Sequence, residues 1–163
     1  MKFTRAFTMF IFIVTGLTSY CQFEFNYVDS ISIINGSNSL KMPWAGGLNY
    51  VQLSDIDYDF DGDMDLLVFD RSNNQLKLFE HIQEAGASAY RFNPYGDALF
   101  PEGMRYRLFA IDYNGDNKKD LFTYGIGGLK VYKNTGDVSN GISWELAKEL
   151  VYSDYWGTEL NLY

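Results

Sequence analysis

The sequence predicts an all-β fold built from two copies of one unit. An acidic loop of nine residues occurs at residues 57–65 and again at residues 112–120, so the copies start 55 positions apart. Recurrence at such a period indicates a repeat architecture rather than a single site. Aromatic residues make up 18% of the chain, and aromatic side chains favour strands over helices. Apolar runs flank each loop, and no segment sustains a helical period.

The composition is that of an acidic globular chain. Its 163 residues suffice for a domain with a sizeable core, and 47% hydrophobic against 21% charged residues indicates a folded chain. The formal net charge of −8 disfavours a nucleic-acid partner, which would require a basic face. Much of the negative charge lies in the two loops, where bound cations would offset part of it.

Residues 1–21 are typical of a secretory signal peptide. Lys2 and Arg5 supply a positive start, and residues 6–17 form an apolar stretch too short to span a bilayer comfortably. Small residues at the −3 and −1 positions then precede Gln22. A buried N-terminal helix or a membrane anchor is the alternative. The sequence thus predicts a secreted or cell-surface protein with no transmembrane segment in the mature chain.

Cleavage of this segment would change the chemistry of the mature chain. The loss of Lys2 and Arg5, with no acidic residue, takes the net charge from −8 to −10. It also removes Cys21, the only cysteine, so metal ions rather than disulfides are the available cross-links. A lipoprotein site at Cys21 is disfavoured because the bulky Tyr20 precedes it.

The N-terminal region, residues 22–47, is predicted to contribute strands of a partial unit. Residues 23–28 alternate between apolar and polar, and residues 30–34 form a second apolar run. The dipeptide Asn35-Gly36 is a strong hairpin signal, after which a short apolar run at residues 40–42 leads to a break at residues 43–47.

Two complete units follow, at residues 48–104 and 105–159, and each is predicted to hold four short strands around one loop. Alternating or continuous apolar runs mark the strands, and Gly-rich or Asn-rich turns separate them. Four strands at this period is the pattern of a β-propeller blade. The predicted strands are residues 48–53, 66–69, 76–79 and 90–92 in the first unit, and 106–111, 121–124, 129–132 and 142–146 in the second.

The last residues, 160–163, are predicted to start a third unit because they are comparable to the lead-in strand at residues 48–51. A third acidic loop would be due a few residues later. We therefore expect about two blades of a propeller, forming an N-terminal fragment of a longer reading frame. Residues 145–152 come nearest to a helical pattern, but only weakly.

Both acidic loops have the composition of a site for a hard cation. Oxygen-bearing side chains occupy loop positions 1, 3, 5 and 9, and position 6 is Gly62 or Asn117, residue types that readily take a positive φ. Ca²⁺ takes roughly six to eight oxygen ligands on such a turned backbone. The first loop carries a formal −5, whereas Lys118 and Lys119 reduce the second to −1. We therefore expect tighter binding in the first loop.

Two other interpretations of these loops remain. An acidic surface turn is the simpler one, and it is stronger for the second loop because of its two lysines. An EF-hand would need a glutamate at position 12, where Val68 stands, and helices on either side, where the sequence predicts strands.

The two loops, each running into Asp-Leu and an apolar strand, resemble FG-GAP/VCBS repeats, the blades of integrin-α-type β-propellers. Residues 43–49 look like the N-terminal blades of large secreted bacterial members, and the resemblance covers roughly residues 40–163. The chain departs from the family in two respects. The Phe-Gly and Gly-Ala-Pro signatures are degraded to segments such as residues 44–47, and about two blades stand where seven usually close the ring.

The resemblance implies two Ca²⁺ sites, one in each loop. In the first, the side chains of four aspartates and one backbone carbonyl would be ligands. In the second, an asparagine and a lysine carbonyl stand at the corresponding places. The implied ligands are Asp57, Asp59, Asp61, Asp65 and the carbonyl of Asp63, and then Asp112, Asn114, Asp116, Asp120 and the carbonyl of Lys118.

We expect a calcium-stabilised scaffold or binding and adhesion module rather than an enzyme. His81 is the only histidine and is expected at an exposed strand end, and neither a nucleophile elbow nor a phosphate loop is present. The partner is a protein or glycan of unknown identity, with the remaining blades of the same polypeptide. The alternative is a carbohydrate-binding or accessory part of a carbohydrate-active enzyme whose catalytic domain lies beyond residue 163. Trp44, Trp144 and Trp156 would stack on sugars in that case, but packing between blades is the more usual role of such residues.

Overall fold

The structure is a computed structural model that describes residues 26–28, 30–84 and 87–162. The predicted signal peptide and most of the predicted strand at residues 23–28 lie outside these ranges. Residues 26–28 are described and form no strand. Within the described ranges, no helix is long and apolar enough to cross a bilayer.

The described residues form an all-β fold of two four-stranded antiparallel sheets and two small hairpins. Each large sheet is a meander in which consecutive strands are neighbours. A short 3₁₀ turn, Gly96–Leu99, lies between the large sheets in the chain. The N-terminal hairpin is β1 (Ile34–Asn35) with β2 (Asn38–Ser39); sheet one is β3 (Val51–Ile56), β4 (Asp65–Asp70), β5 (Gln75–Glu84) and β6 (Ala87–Asn93); sheet two is β7 (Leu108–Ile111), β8 (Asp120–Gly125), β9 (Gly128–Asn134) and β10 (Trp144–Lys148); the last hairpin is β11 (Tyr152–Tyr155) with β12 (Thr158–Asn161).

The all-β class and the two four-stranded units are confirmed. Each of the eight strands predicted for the two units overlaps one strand of sheet one or sheet two, in the predicted order. The described residues contain no other sheet of four strands, and these two sheets do not close into a ring.

Residues 145–152, where the sequence comes nearest to a helical pattern, form strand and turn, because Glu145 pairs with Lys133 of β9. The hairpin predicted at Asn35-Gly36 is confirmed as β1–β2, with Gly36 at φ 66° in its two-residue loop, whereas the described residues of the apolar runs at 30–33 and 40–42 form no strand. The predicted strand at residues 160–163 overlaps β12, whose Leu160 pairs with Ser153 of β11, and its assignment to a third unit stays a prediction. Position 163 lies outside the described residues.

One apolar cluster joins the two sheets. Its buried members in sheet one are on alternate positions of β4 and β5, as the two-residue period of a strand requires. The cluster consists of Ile56, Leu67, Phe69, Leu76 and Leu78 from sheet one, Leu108, Ala110 and Leu121 from sheet two, and Phe100 between them.

Side chains of sheet one accept hydrogen bonds from β7, the edge strand of sheet two. The backbone N–H of Leu108 donates to Oε1 of Gln52 at 3.0 Å, and that of Ala110 donates to Oγ of Ser54 at 3.2 Å. Just before β7, the N–H of Tyr106 donates to the side chain of Asn74 at 2.7 Å. Edge strands carry unpaired backbone groups, so these bonds dock β7 beside β3 in one register.

The other face of sheet one is covered by the N-terminal segment. Lys77 is only 8% exposed, and its ammonium donates to the carbonyl oxygens of Ala45 and, at 3.3 Å, Gly47. A buried ammonium needs such acceptors, so this lysine holds the segment before β3 against the sheet.

Candidate metal centre

Loop one, residues 57–65, connects β3 to β4 at one end of sheet one. Ile56 at the end of β3 is fully buried and pairs with Asp65 at the start of β4, which is 2% exposed. The loop ends are therefore fixed by the sheet, while the residues between them extend toward solvent.

Asp57 has an unsatisfied oxygen in this loop. Its Oδ2 accepts a hydrogen bond from the N–H of Gly62 at 3.2 Å, whereas its Oδ1 is buried and accepts none from the described residues. Ligand oxygens of Asp57, Asp59 and Asp61 all lie within 4.8 Å of one another. A buried acceptor without a donor is unfavourable, and a cation bound to this oxygen would satisfy it. The donor set thus fits a hard metal ion.

Carboxylates also shape the backbone of loop one. The N–H of Asp61 donates to Asp59 at 3.2 Å, and the N–H of Asp63 donates to Asp61 at 2.8 Å. Gly62 has φ 93°, as expected for position 6. Phe60 at position 4 also has a positive φ, of 62°, which was not predicted. The equivalent residue in the second loop is Gly115, and that glycine was the available signal.

Asp65 ties the loop to the third strand of its sheet. Its Oδ2 accepts from the N–H of Tyr58 at 3.1 Å, and its Oδ1 accepts from the N–H of His81 at 2.8 Å. Burial raises the pKa of the Asp65 carboxyl to about 6, against the opposing effect of these hydrogen bonds, and the nearby charges of Asp59 and Asp61 add to the rise. Burial also raises the pKa of Asp59.

His81 was expected at an exposed strand end and instead lies beside loop one. Its side chain is 15% exposed, and its Nδ1 is 3.1 Å from Oδ2 of Asp63, although the two groups are not aligned for a hydrogen bond. The Asp63 side chain therefore faces His81. This neighbour could not be predicted, because β5 extends to Glu84, beyond the predicted end at residue 79.

Loop two, residues 112–120, repeats the hydrogen-bond pattern of loop one. The N–H of Asn117 donates to Oδ2 of Asp112 at 2.9 Å, as Gly62 does to Asp57. Asp120 is fully buried and accepts from the N–H groups of Tyr113 and Asn134, both at 2.7 Å, as Asp65 does from Tyr58 and His81. The two loops therefore have the same backbone design.

The charged groups of loop two, however, are satisfied within the chain. Oδ1 of Asp112 accepts from the N–H groups of Asn114 at 3.2 Å and Gly115 at 2.7 Å. The Asn114 amide donates to Oδ2 of Asp116 at 3.0 Å, and the Lys133 ammonium is 3.8 Å from the same oxygen. The Lys118 backbone N–H, followed by the Asn114 side chain and nearby lysines, holds the pKa of Asp116 below its usual value.

In the described part of the chain, only loop one places the oxygens of three carboxylates within 4.8 Å of one another, which is close enough for one metal ion to contact all three. The Lys118 ammonium leaves loop two altogether and donates to the carbonyl oxygen of Gly136 at 2.7 Å. The structure thus places the ten predicted ligand residues in two similar loops, and among them it brings three carboxylates close together only at Asp57, Asp59 and Asp61.

No protein-family model, curated protein or solved structure matches this chain. The resemblance to FG-GAP/VCBS repeats therefore stays a prediction. What the residues themselves provide is a repeated loop, a carboxylate cluster and a docked pair of sheets.

Proposed function

We propose that this chain contains two consecutive blades of a calcium-stabilised β-propeller in a secreted or cell-surface protein. It acts as a scaffold or as a binding and adhesion module, not as an enzyme. The Asp57 carboxylate carries the proposal, because it belongs to a cluster of three carboxylates and its buried Oδ1 accepts no hydrogen bond from the described residues. The same loop design in sheet two supports the repeat.

Calcium is the cation that these donors suit. The group in loop one is composed of oxygens only, on an exposed turn, and Ca²⁺ tolerates irregular oxygen coordination better than Mg²⁺ does. The side chains of Asp57, Asp59 and Asp61 would hold it, with Asp65 and the carbonyl of Asp63 completing the set. The bound ion would offset two of the five formal negative charges of the loop and would cross-link β3 to β4.

Loop two is the weaker candidate for a second ion. A cation there would have to displace the backbone and amide hydrogen bonds on Asp112 and Asp116. It would also meet the positive charge of Lys133. We therefore propose one tight site in loop one, and at most a weak site in loop two.

The outward face of sheet two supports the idea of further blades from the same polypeptide. Phe109 and Ile111 are 38% and 52% exposed. They are 55 positions after Ser54 and Ile56, which face sheet two across the first interface. A third sheet docked like the second would cover them.

Titration with Tb³⁺, a luminescent analogue of Ca²⁺, tests the proposal directly. Tyr58 is adjacent to the cluster and would sensitise the emission of a bound lanthanide. We expect one tight site that Ca²⁺ displaces and that Asp57→Ala removes. Unchanged emission in Asp57→Ala would contradict the assignment of loop one.

The carbohydrate-binding alternative has one observation in its favour. Trp144 stacks on Phe100 with ring centroids 5.6 Å apart, so it serves packing. Trp156, in contrast, is 91% exposed at the turn of the last hairpin. Quenching or a spectral shift of tryptophan fluorescence by added oligosaccharides, lost in Trp156→Ala, would support this role. No change in fluorescence would count against it.

A further inference from the structure

Phe60 of loop one reaches across to sheet two. Its neighbours Asp59 and Asp61 are exposed, whereas Phe60 is half-buried. A Cβ atom placed on Gly136 would lie 2.9 Å from the Cζ atom of Phe60, so the ring edge lies against this glycine. The Lys118 ammonium is 5.9 Å from the centroid of the same ring.

The Phe60 ring contacts Gly136, which follows β9 of sheet two. Gly136 is buried, and a Cβ there would also lie 2.8 Å from the Cα of Ile142, so only glycine leaves room. Its N–H donates to the Asn134 side chain at 3.0 Å, and its carbonyl accepts from Lys118 at 2.7 Å. The N–H of Asn134 in turn donates to Asp120 of loop two. The contact point is therefore fixed by loop two and β9.

The backbone at Phe60 depends on the carboxylates beside it. Its φ of 62° is unfavourable for a bulky residue, and such conformations persist only where the surroundings hold them. Asp59 and Asp61, which flank Phe60, supply two of the three clustered carboxylates. A cation bound to both would fix the backbone on each side of the ring. Without it, repulsion between these carboxylates favours opening of the loop.

We infer that Phe60 couples cation binding in loop one to the docking of sheet two. This inference rests on the proposed metal site. The bound cation holds Phe60 in its positive φ, and the ring then holds Gly136 and Lys118. Because coupling between two sites is reciprocal, docking of sheet two also strengthens cation binding. Phe60 acts through the loop and the sheet, so it is a positioning residue rather than a ligand.

Phe60→Gly separates cation binding in loop one from the contact between the Phe60 ring and sheet two. Glycine accepts the positive φ, so the loop keeps its shape, but the ring is lost. The measurement is amide hydrogen exchange, with Ca²⁺ and with EDTA, at Gly62 and Asp63 in loop one and at Leu108 and Ala110 in β7. The last two amides bridge the sheets through Gln52 and Ser54.

In the unmodified protein, we expect Ca²⁺ to slow exchange at both sets of amides by about tenfold or more. In Phe60→Gly, the slowing should remain in loop one and fall below about twofold at Leu108 and Ala110. Equal slowing at both sets in this variant would overturn the inference while leaving the metal site intact. Absence of Tb³⁺ binding in the unmodified protein would overturn both.

Lys118→Met and Lys119→Met provide a matched pair. Each removes one positive charge from loop two, but Lys119 is 3.6 Å from Asp55 and is not part of the ring contact. We expect Lys118→Met to bind Ca²⁺ at least about threefold more weakly than Lys119→Met, and the difference to vanish when Phe60→Gly is added. Equal affinities of the two variants in the unmodified background would contradict the coupling.

Discussion

Asp65 accepts a hydrogen bond from the backbone N–H of His81 at 2.8 Å, so the last acidic residue of loop one is tied to the third strand of its sheet. Asp120 and Asn134 form the same bond at 2.7 Å in sheet two. The loop is therefore not an appendage of one hairpin. It contacts three strands, because Asp65 links it to β5 in addition to the two strands that it connects.

Calcium should stabilise the folded protein. An ion that binds only the folded state adds RT ln(1 + [Ca²⁺]/Kd), which is about 2.7 kcal/mol at a hundredfold excess over Kd. Thermal unfolding with Ca²⁺ and with EDTA measures this, and Mg²⁺ at the same concentration is the control. Coincident midpoints in Ca²⁺ and EDTA would rule out a folding-linked site.

Asp57→Ala should chiefly affect cation binding, whereas Asp112→Ala should chiefly affect the stability of the metal-free protein. Asp112 accepts three backbone N–H bonds, so its loss should lower the metal-free unfolding free energy by about 1–3 kcal/mol. From the described residues, Asp57 accepts one such bond and none at its buried Oδ1, so its loss should chiefly abolish Tb³⁺ binding. Urea unfolding in EDTA and Tb³⁺ titration of both variants distinguish the two roles. Loss of the tight site in Asp112→Ala but not in Asp57→Ala would reverse our assignment.

The metal-free protein should lose stability as the pH rises through the range from about 4 to about 6. The carboxyl of Asp65 has an unfolded pKa of about 3.9, and burial raises its folded pKa to about 6. The folded state therefore binds the proton more tightly, and this contribution is full below pH 4 and lost above pH 6. Ca²⁺ favours the ionised form, so its stabilising effect should grow over the same range.

Urea unfolding in EDTA at several pH values between 4 and 7 measures this slope. Asp65→Asn carries no titrating carboxyl and should flatten it, whatever its own cost in stability. A metal-free stability that increases from pH 4 to pH 6 by the same amount in both proteins would show that Asp65 does not titrate as described.

The outward face of sheet two should promote self-association. Phe109 and Ile111 expose apolar surface side by side on β7. Phe109→Ser with Ile111→Thr should shift the protein toward the monomer in light scattering after size-exclusion chromatography. Val138→Ser is the control, because Val138 is 81% exposed elsewhere. Identical elution and mass for all three proteins would argue against this face as the contact.

The strands could be predicted because their apolar residues alternate or run continuously between clear turn signals. Leu67 and Phe69 in β4, for example, face the core as the two-residue period requires. Position 6 of each loop could be predicted as well, because Gly62 and Asn117 are residue types that accept a positive φ. The pairing of β11 with β12 was missed, although Gly157, at φ 78° in the turn, was an available signal; Trp156 before it, at φ 54°, is not a residue type that indicates a turn.

The difference between the loops could be predicted only in part. Charge alone favoured loop one, and the carboxylate cluster agrees with this. The Asp112 carboxylate has hydrogen-bond donors within its own loop, partly because the N–H of Gly115 points at its Oδ1. Phe60 holds the corresponding position in loop one, and the structure gives no equivalent bond there to Asp57. Such a difference arises from backbone direction, which residue type does not determine.

The bonds from Gln52 and Ser54 to β7 make the two sheets non-interchangeable. The residues 55 positions further on are Arg107 and Phe109, and neither can accept a hydrogen bond from a neighbouring backbone N–H. A protein in which sheet two is followed by a second copy of itself would leave the amides of Leu108 and Ala110 in that copy unpaired. Gln52 and Ser54 thus determine which sheet can precede sheet two. Shuffling or duplicating these units would leave backbone N–H groups without acceptors and lower the stability, although the two sheets share one strand pattern.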